Sequence, residues 1–387
     1  MRELIRVLCL CCAALILAAC ANRDTSDPPS PLVEFEEEAV FKTLWSTGTG
    51  SGNGERGLKL QPWVGTESIY IADHKGVISA YNKENGEQRW QIKTKLAISS
   101  GVGGNASMLF VATRDGELLA FWQRDGTKVW QTRTSSEVLA PPVANQNIVV
   151  TRSVDGNLEA FALSTGDRLW SNTYSVPSLS LRGTATPLLF YDVVIVGTDS
   201  GRLAIIAGID GRLLREIPVA VPSGASDLER MVDVDIPVIV DPNRIAYIAA
   251  FQGRVIAIAL QNAQTLWSRK MSVHQSMAHD FQNLYVVDDA SHVWALSKAD
   301  GGSSMWIQEK LHARPVSGVG VFNNAVILGD FEGYLHALDT ADGRFIARAR
   351  VGDAVNVAPL IEGNIAYILS ADGNLSALQF ERIATDS

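Results

Sequence analysis

A unit of about 40 residues recurs along this chain, and this repeat constrains the fold more than any other feature. Each copy has a β-rich apolar run, a polar turn usually ending in Gly, a second run closing on Ala, another turn with Gly, and often Trp. In the first three copies the first Gly and the Trp are 14 residues apart, at Gly76 and Trp90, Gly116 and Trp130, and Gly156 and Trp170. Such a period indicates a repeat architecture in which each unit buries its apolar face against its neighbours.

The remaining five copies are degraded but stay in phase. Leu214 lies near the Trp position of the fourth copy, Ala263 takes the second Gly position of the fifth, and His292 takes the first Gly position of the sixth. The eighth copy ends after Ala377 without a Trp strand, whereas an unassigned Trp strand ending at Trp45 lies near the start of the chain. Joining these two parts completes eight units and predicts that the N-terminal strand closes a ring.

The apolar runs are typical of strands rather than helices. They are short, alternate in polarity and end in turn residues, as in residues 148–153, 193–198 and 325–330. Four short strands per unit predict an all-β fold, an eight-bladed β-propeller with four-stranded blades over residues 39–383. A β-solenoid is the alternative, although a unit of about 40 residues is long for one coil.

The first 19 residues predict a signal peptide of the lipoprotein type. Arg2 and Arg6 precede an apolar stretch at residues 7–17, which is too short to span a membrane. The sequence Leu-Ala-Ala-Cys ending at Cys20 resembles the lipobox of bacterial lipoproteins, which implies cleavage before Cys20 and acylation of that residue. An ordinary secretory signal is the alternative. Residue 21 is Ala and not Asp, which by resemblance to enterobacterial lipoproteins suggests the outer membrane, on its periplasmic face.

Residues 20–38 are polar, acidic and contain proline, which predicts a lipidated, flexible tether. Fully extended, it would reach ~60 Å at about 3.3 Å per residue. The formal net charge is −9, and it becomes −10 once Arg2, Glu3 and Arg6 leave with the signal peptide. This acidic balance argues against nucleic acid as a partner. Cleavage also leaves Cys20 as the sole cysteine, so no disulfide is predicted.

No catalytic, cofactor or metal constellation is apparent in the sequence. His274 and His279 are five residues apart and lie on no predicted helix, so they do not match a helical zinc pair. The tryptophans at the repeated position are interpreted as packing residues between blades. Trp63, Trp122 and Trp294 lie outside that position, and they are the candidates for exposed platforms in a sugar-binding propeller.

Two stretches break the repeat, at residues 176–187 and 223–238, and both lie on connections between blades. Insertions in propellers map to loops on one face, and loops carry binding. We therefore expect both to emerge on the same face.

The first stretch offers Leu179, Leu181 and Arg182, and the second offers Asp233 and Asp235. Leucine with arginine in a loop is a reasonable protein-binding hot spot. The alternative is that both leucines point inward and Arg182 pairs with either aspartate to brace the loops. Two aspartates without further clustered oxygen ligands are weak support for Ca²⁺.

The lipobox, the acidic tether, the eight repeats and the loop sequences at residues 177–183 and 230–235 together resemble the BamB family, lipoprotein subunits of the β-barrel assembly machinery of Gram-negative bacteria. The resemblance implies a non-enzymatic scaffold at the outer membrane that promotes folding and insertion of outer-membrane proteins. It also implies that the two loops contact the POTRA domains of the central subunit BamA. The implied contact residues are Leu179, Leu181, Arg182, Asp233 and Asp235.

Three other expectations accompany this resemblance. Unfolded outer-membrane precursors could pair with an exposed blade edge, which is a hypothesis. PQQ-dependent dehydrogenases share the repeat pattern, but they are longer and use Ca²⁺, a catalytic Asp and often a vicinal disulfide. A glycan-binding periplasmic propeller is the third interpretation.

Overall fold

The computed structural model describes residues 27–54, 58–177, 185–221, 226, 232–301 and 303–383. Within these ranges 32 strands form eight antiparallel sheets of four strands each. Seven sheets consist of four consecutive strands, and the eighth combines the first strand of the chain with the last three. This arrangement confirms the predicted eight-bladed β-propeller.

Blades 1 to 4 are numbered in chain order, and their strands run from the ring axis outward. Blade 1 contains β2 (Trp63–Val64), β3 (Ser68–Ala72), β4 (Val77–Asn82) and β5 (Gln88–Lys93). Blade 2 contains β6 (Gly103–Gly104), β7 (Met108–Ala112), β8 (Glu117–Trp122) and β9 (Lys128–Arg133). Blade 3 contains β10 (Val143–Ala144), β11 (Ile148–Arg152), β12 (Asn157–Ala162) and β13 (Arg168–Thr173). Blade 4 contains β14 (Leu188–Phe190), β15 (Val193–Gly197), β16 (Arg202–Ala207) and β17 (Leu213–Pro218).

Blades 5 to 8 follow the same plan. Blade 5 contains β18 (Ile239–Val240), β19 (Ile245–Ala249), β20 (Arg254–Ala259) and β21 (Gln264–Lys270). Blade 6 contains β22 (Ala278–His279), β23 (Asn283–Val287), β24 (Val293–Ser297) and β25 (Ser304–Gln308). Blade 7 contains β26 (Gly320–Phe322), β27 (Ala325–Gly329), β28 (Tyr334–Asp339) and β29 (Phe345–Arg350). Blade 8 contains β30 (Leu360–Glu362), β31 (Ile365–Leu369), β32 (Asn374–Arg382) and, as its outer strand, β1 (Ala39–Gly48).

The ring closes through the pairing of β1 with β32, as the sequence predicts. The two strands are antiparallel, with Ala39 opposite Arg382 and Gly48 opposite Asn374. Closure removes two free sheet edges from the molecule. It also makes the outermost strand of blade 8 depend on the opposite end of the chain.

The second strand of each blade is buried on both faces. All five residues of β3, β7 and β11 are buried, and the fourth strands alternate between exposed and covered positions. A blade in a ring packs against a neighbour on each side, so its inner strands need apolar residues at consecutive positions rather than at alternate ones. The hydrophobic core is therefore a series of clusters between blades.

Six tryptophans lock neighbouring blades together, which confirms their interpretation as packing residues. Each indole Nε1 donates a hydrogen bond of 2.8–3.0 Å to a backbone carbonyl in the next blade. The donor and acceptor pairs are Trp45 and Lys83, Trp90 and Gln123, Trp130 and Leu163, Trp170 and Gly208, Trp267 and Lys298, and Trp306 and Thr340.

In two blades, the residue at a repeat position lies one residue away from the one that the sequence predicts. In blade 4, Arg215 lies opposite Ile205 as Trp170 lies opposite Ala160, so Arg215 and not Leu214 takes the Trp position. In blade 6 the residue with the left-handed turn conformation is Ser291, with a φ of 66°, and not His292. Both differences arise because degraded copies keep the backbone turn while the marker residue changes.

Residues 27–38, here called the strap, lie along blades 6 and 7. Arg314 Nη1 donates to the carbonyl of Ser30 at 3.0 Å, and Arg348 Nη1 donates to that of Val33 at 2.9 Å. The Phe35 ring stacks on a phenylalanine of β29 with centroids 5.5 Å apart. This part of the predicted tether carries apolar side chains and finds backbone partners, so it packs on the ring.

The predicted signal peptide and Cys20 lie outside the described residues. Within the described ranges no helix has the length and apolar character needed to cross a membrane.

Candidate partner-binding surface

The two ends of the ring carry different structures. At one end, here called the connection face, lie the turns between the second and third strands of each blade and the connections between blades. At the other end, the hairpin face, lie the turns between the first and second strands and between the third and fourth. Because each blade is an antiparallel meander, this division holds around the ring. The described residues of the two irregular stretches, at 176–177, 185–187 and 232–238, therefore belong to the connection face.

Asp233 lies inside the connection between blades 4 and 5. Its carbonyl accepts a hydrogen bond of 2.8 Å from the backbone N–H of Phe251, in a bridge to the turn of blade 5. The equivalent bridge positions of other blades hold buried apolar residues, namely Ile98, Val138, Val273 and Val316. Asp233 is 0% exposed. The main chain of Asp233 thus makes the same bridge as in other blades, and its carboxylate is buried rather than presented to solvent.

Asp235 joins the two irregular stretches. Its Oδ1 accepts a hydrogen bond of 2.6 Å from the backbone N–H of Ala185, which lies near the end of the first stretch. The side chain is half-buried. A hydrogen bond from a backbone amide to a carboxylate is among the stronger ones, and it fixes the spacing of the two connections. The contact places the described residues of both stretches together on the connection face.

Asp235 also lines the mouth of the axial channel. Residues just before the innermost strand of seven blades line this channel, whose free volume of ≈ 60 Å³ has room for a few water molecules. Lys59 reaches into it, and its Nζ lies 3.5 Å from Oε1 of Gln275 across the ring. Burial in the channel lowers the pKa of the Lys59 ammonium, and the charge of Asp235 partly opposes that shift. Polar side chains thus form part of the channel lining.

Leu179, Leu181 and Arg182 lie outside the described residues, so neither their contacts nor the pairing of Arg182 with an aspartate is described. Residues flanking them at the same face were missed by the sequence reasoning. Val221, at the edge of the second stretch, is 67% exposed although it is apolar. Beside the first stretch, Arg152 forms a buried ion pair with Asp199 that joins blades 3 and 4. Burial of a residue such as Arg152 follows from tertiary packing and has no signal in the repeat pattern.

The three tryptophans considered as sugar platforms are half-buried and engaged. Trp63 packs on Tyr70 with ring centroids 5.8 Å apart. Trp122 is covered by a guanidinium 5.3 Å from its centroid, and Trp294 donates from Nε1 to Asp288 at 2.8 Å. None of the three presents an open face of the kind that stacks on a sugar, so the glycan-binding interpretation is not favoured.

Two histidines singled out in the sequence have local partners. His274 Nδ1 lies 3.3 Å from Oδ1 of Asp289, and His279 Nδ1 lies 3.1 Å from the carbonyl of Asp280. Among the described residues, no three His, Cys, Asp or Glu side chains gather closely enough to hold a metal ion.

Comparisons with known proteins agree over most of the chain. A family model described as "Outer membrane protein assembly factor BamB" matches residues 74–308 and 298–382. The outer membrane protein assembly factor BamB of Alkalilimnicola ehrlichii is 46% identical over 376 residues, which cover 97% of this chain and 97% of that protein.

Two solved structures are similar in fold. The crystal structure of BamB from Moraxella catarrhalis matches with a TM-score of 0.81 and 23% identity, over 88% of this chain and 100% of that one. The quinohemoprotein alcohol dehydrogenase from Comamonas testosteroni matches with a TM-score of 0.70 and 13% identity, over 89% and 76% of the two chains. Likeness at such identities shows the shared propeller fold alone.

Proposed function

This chain belongs to the outer membrane protein assembly factor BamB family, and from that membership we propose that it acts as a scaffold of the outer-membrane β-barrel assembly machinery, docking on the POTRA domains of BamA through its connection face. The observation that carries the proposal is the hydrogen bond between Asp235 and Ala185. It links a described residue of the first irregular connection to one of the second, which supports a common docking surface on the connection face. A protein partner can recognise such a surface without any catalytic group.

Each aspartate has its own part in this surface. Asp233 lies fully buried within the second connection, and Asp235 joins that connection to the first through the hydrogen bond from Ala185. Leu179, Leu181 and Arg182 are the proposed contact residues, with the exposed Val221 at the edge. Apolar side chains around a guanidinium are typical of the centre of a protein interface, because both bury well against a partner.

Substitution at this surface should weaken BamA binding strongly. We expect Arg182→Ala and Asp235→Asn each to reduce affinity for purified POTRA domains by at least ~30-fold, which corresponds to about 2 kcal/mol at a hot spot. Asp235→Asn keeps the size of the side chain but removes its charge. The measurement is titration calorimetry with the exported chain, accompanied by circular dichroism to show that each variant is folded.

Matched controls lie on the hairpin face of blade 4. Arg212 and Asp210 are exposed there, with side-chain exposures of 71% and 55%. Arg212→Ala and Asp210→Asn should bind POTRA domains like the wild type. Equal affinity for Arg182→Ala, Asp235→Asn and the wild type would contradict the proposed surface.

We further propose that residues 1–19 are removed and that Cys20 carries the lipid that holds the protein at the outer membrane, facing the periplasm. Because the strap packs on blades 6 and 7 from Asp27 onward, only about seven residues separate the lipid from the ring, a reach of about 25 Å. The ring would therefore sit close to the membrane surface, nearer than the sequence alone suggests.

Removing the proposed acylation site should release the protein. We expect Cys20→Ala to move nearly all of the protein from the membrane fraction to the soluble periplasmic fraction, because several acyl chains give firm anchoring and none remain. The measurement is fractionation with immunoblotting. Cys11→Ala, within the predicted signal peptide, should leave the distribution unchanged. A Cys20→Ala protein that stayed with the membrane would refute the anchor.

A scaffold role, rather than an enzymatic one, is part of the proposal. The dehydrogenase neighbour shares the propeller fold at 13% identity and supports no shared chemistry, whereas the relatives that match nearly the full chain are named assembly factors. Contact with unfolded precursors of outer-membrane proteins at a blade edge stays a hypothesis.

A further inference from the structure

The hairpin of blade 5 lacks the indole that covers its counterparts. Seven blades have a turn between the third and fourth strands, because blade 8 takes its fourth strand from the N-terminus. Six of these turns are covered by a tryptophan of the preceding blade, in blades 1, 2, 3, 4, 6 and 7. In blade 5 the residue at the Trp position of the preceding blade is Arg215.

The turn of blade 5 also lacks the glycine that lies under the indole in the six covered turns. In each of the six covered turns a glycine lies under the indole, and an added Cβ would come within 2.9 Å of the ring. These glycines are Gly86, Gly126, Gly166, Gly211, Gly301 and Gly343. Blade 5 keeps the left-handed backbone at this position, with a φ of 53°, but carries Ala263. An alanine methyl group fits there because no indole presses on it.

The uncovered position opens into a cleft between blades 4 and 5 on the hairpin face. Its volume is ≈ 480 Å³, within the range typical of ligand sites. The walls are mostly apolar and include Phe190, Ile205, Leu214 and Leu260. Leu214 is 45% exposed, so the cleft leaves apolar surface in contact with solvent.

Two guanidinium groups border this apolar cleft. Arg215 and Arg244 line it, and neither forms an ion pair with any residue in the described part of the chain. Arg244 lies over the ring of Tyr191, 5.9 Å from its centroid, and Tyr191 is 74% exposed. One carboxylate, Asp192, also lines the cleft, which leaves a net positive charge there. In a chain of net charge −9, a positive site beside apolar walls favours an anionic group next to an apolar one.

An aromatic side chain that fills this position has to come from another polypeptide. All aromatic residues of the chain fall within the described ranges, and the ones lining the cleft are Phe190 and Tyr191, which form its wall. No tail or loop outside the described ranges contains Phe, Tyr or Trp. The chain therefore has no aromatic side chain left to fill this position.

We propose that this cleft binds an extended polypeptide segment of another protein in which an aromatic residue adjoins an acidic one. The aromatic ring takes the space that an indole fills in six other blades, against Ile205, Leu214 and Leu260. The neighbouring carboxylate pairs with Arg215 and Arg244, whose planar guanidinium groups suit carboxylate geometry. The site lies on the hairpin face, so it is separate from the BamA-binding surface proposed on the connection face.

A second copy of this chain is a poorer occupant. Phe281, which is 91% exposed and follows Asp280, is the exposed aromatic that could enter the cleft of a neighbouring copy. However, the carboxylate of Asp280 is already used by the backbone amides of Gln282 and Asn283 and by the hydroxyl of Tyr285. A contact between two different surfaces of one protein also propagates into open chains unless it closes into a ring.

The test uses a fluorescein-labelled peptide of ten residues with a central Phe-Glu pair among serine and threonine, and fluorescence anisotropy with the full exported chain. We expect saturable binding that weakens at least tenfold when the peptide Phe becomes Ala or its Glu becomes Gln. Arg215→Gln should weaken binding of the Phe-Glu peptide at least tenfold, and it should have little further effect on the Phe-Gln peptide. Arg212→Gln, in the hairpin turn of blade 4 and outside the cleft lining, is the matched control.

Filling the cleft supplies an independent test. The double variant Arg215→Trp with Ala263→Gly restores the pair of residues found at the six covered turns, so it should fold, melt at or above the wild-type temperature, and lose peptide binding. Ala263→Gly alone should bind the peptide normally.

Peptide binding that is indifferent to the Phe-Glu pair, or to both cleft variants, would overturn the inference. So would concentration-dependent self-association that Phe281→Ala abolishes, because a second copy would then occupy the cleft. The cleft variants should keep their affinity for POTRA domains, and the connection-face variants should keep their affinity for the peptide, so failure of one proposal is distinguishable from failure of the other.

Discussion

Replacing Asp330 by asparagine is expected to destabilise the propeller by about 3–5 kcal/mol, because it leaves a buried guanidinium without its main counter-ion. Asp330 is 0% exposed and lies in the turn of blade 7 on the connection face. Its Oδ2 accepts from Arg314 Nη2 at 2.6 Å and lies 3.1 Å from His336 Nε2. Its Oδ1 accepts two backbone amides of the turn, at 2.9 Å each. The measurement is urea unfolding followed by circular dichroism.

The same group links stability to pH. Although burial opposes the shift, hydrogen bonds from His336 and Arg314 hold the pKa of Asp330 at about 2, against an ordinary value of 3.8. Its stabilisation is therefore complete above pH 3.8 and is lost as the pH falls toward 2. Burial lowers the pKa of His336 below its ordinary 6.5, so an unfolded chain takes up a proton that the folded chain resists. Stability should thus begin to fall below about pH 6.5 and fall again below about pH 4.

The matched control is Asp342→Asn, in the following hairpin of blade 7. Asp342 pairs with Arg344 at 2.6 Å, but its side chain is 53% exposed, and exposed ion pairs contribute at most about 1 kcal/mol. In Asp330→Asn the loss of stability below pH 4 should also be shallower than in the wild type, because the depressed carboxyl is gone. Equal destabilisation by both variants, or an unchanged acid slope, would contradict the role assigned to Asp330.

The network around Asp330 also places the strap. Arg314 pairs with Asp330 and also donates to the carbonyl of Ser30 in the strap. Arg348 donates to the carbonyl of Val33 in the strap and, from Nε, to His336 Nδ1 at 3.3 Å. That contact makes Nδ1 an acceptor and leaves Nε2 to carry the proton toward Asp330, which fits a neutral imidazole. The strap is thus held by a buried polar cluster of the ring. Any force on the proposed lipid anchor would therefore reach the ring at blades 6 and 7.

The blade count and the closing strand could be predicted from the sequence because each depends on local, repeated signals. Gly, Ala and Trp recur at fixed spacing, and Trp45 has no repeat of its own to belong to. The same repeat spacing placed the Trp position of blade 4 and the first Gly position of blade 6 one residue away from Arg215 and Ser291, because these copies keep the backbone turn but have lost the Trp or Gly.

The packing of the strap and the environment of the acidic pair could not be predicted from the sequence. An acidic, proline-containing stretch is typical of a tether, and only the three-dimensional position of Arg314 and Arg348 gives its carbonyl groups partners. Likewise, the alternating spacing of Asp233 and Asp235 suggests two equivalent carboxylates. In the structure Asp233 lies in the bridge to Phe251 and is buried, whereas Asp235 accepts a hydrogen bond from the amide of Ala185. Contacts of this kind follow from the packing of the strap and of neighbouring connections on the ring rather than from the repeat spacing.

Truncation of a blade-locking tryptophan is the second change for which we expect a large effect. Trp130 is 8% exposed, contacts Phe110 with ring centroids 5.9 Å apart, and covers Gly166 of blade 3. Trp130→Ala should cost about 3–5 kcal/mol, because it empties a space that flanking β-strands cannot collapse to fill. Trp130→Phe keeps much of the ring but loses the 2.8 Å hydrogen bond to Leu163, and it should cost less.

Because Trp130 lies in a closed ring, ring closure determines how many unfolding transitions the Trp130→Ala variant should show. In an open array of repeats, weakening one interface uncouples the units on either side, and unfolding separates into steps. In this propeller the strand pairing of β1 with β32 holds the ends together, so the other interfaces still constrain blades 2 and 3. We therefore expect one transition at lower urea for Trp130→Ala, with Trp122→Ala, a half-buried tryptophan outside the locking position, shifted by less than half as much. Two resolved transitions in Trp130→Ala would show that closure does not couple the blades, and an equal shift for Trp122→Ala would show that the locking position has no special weight.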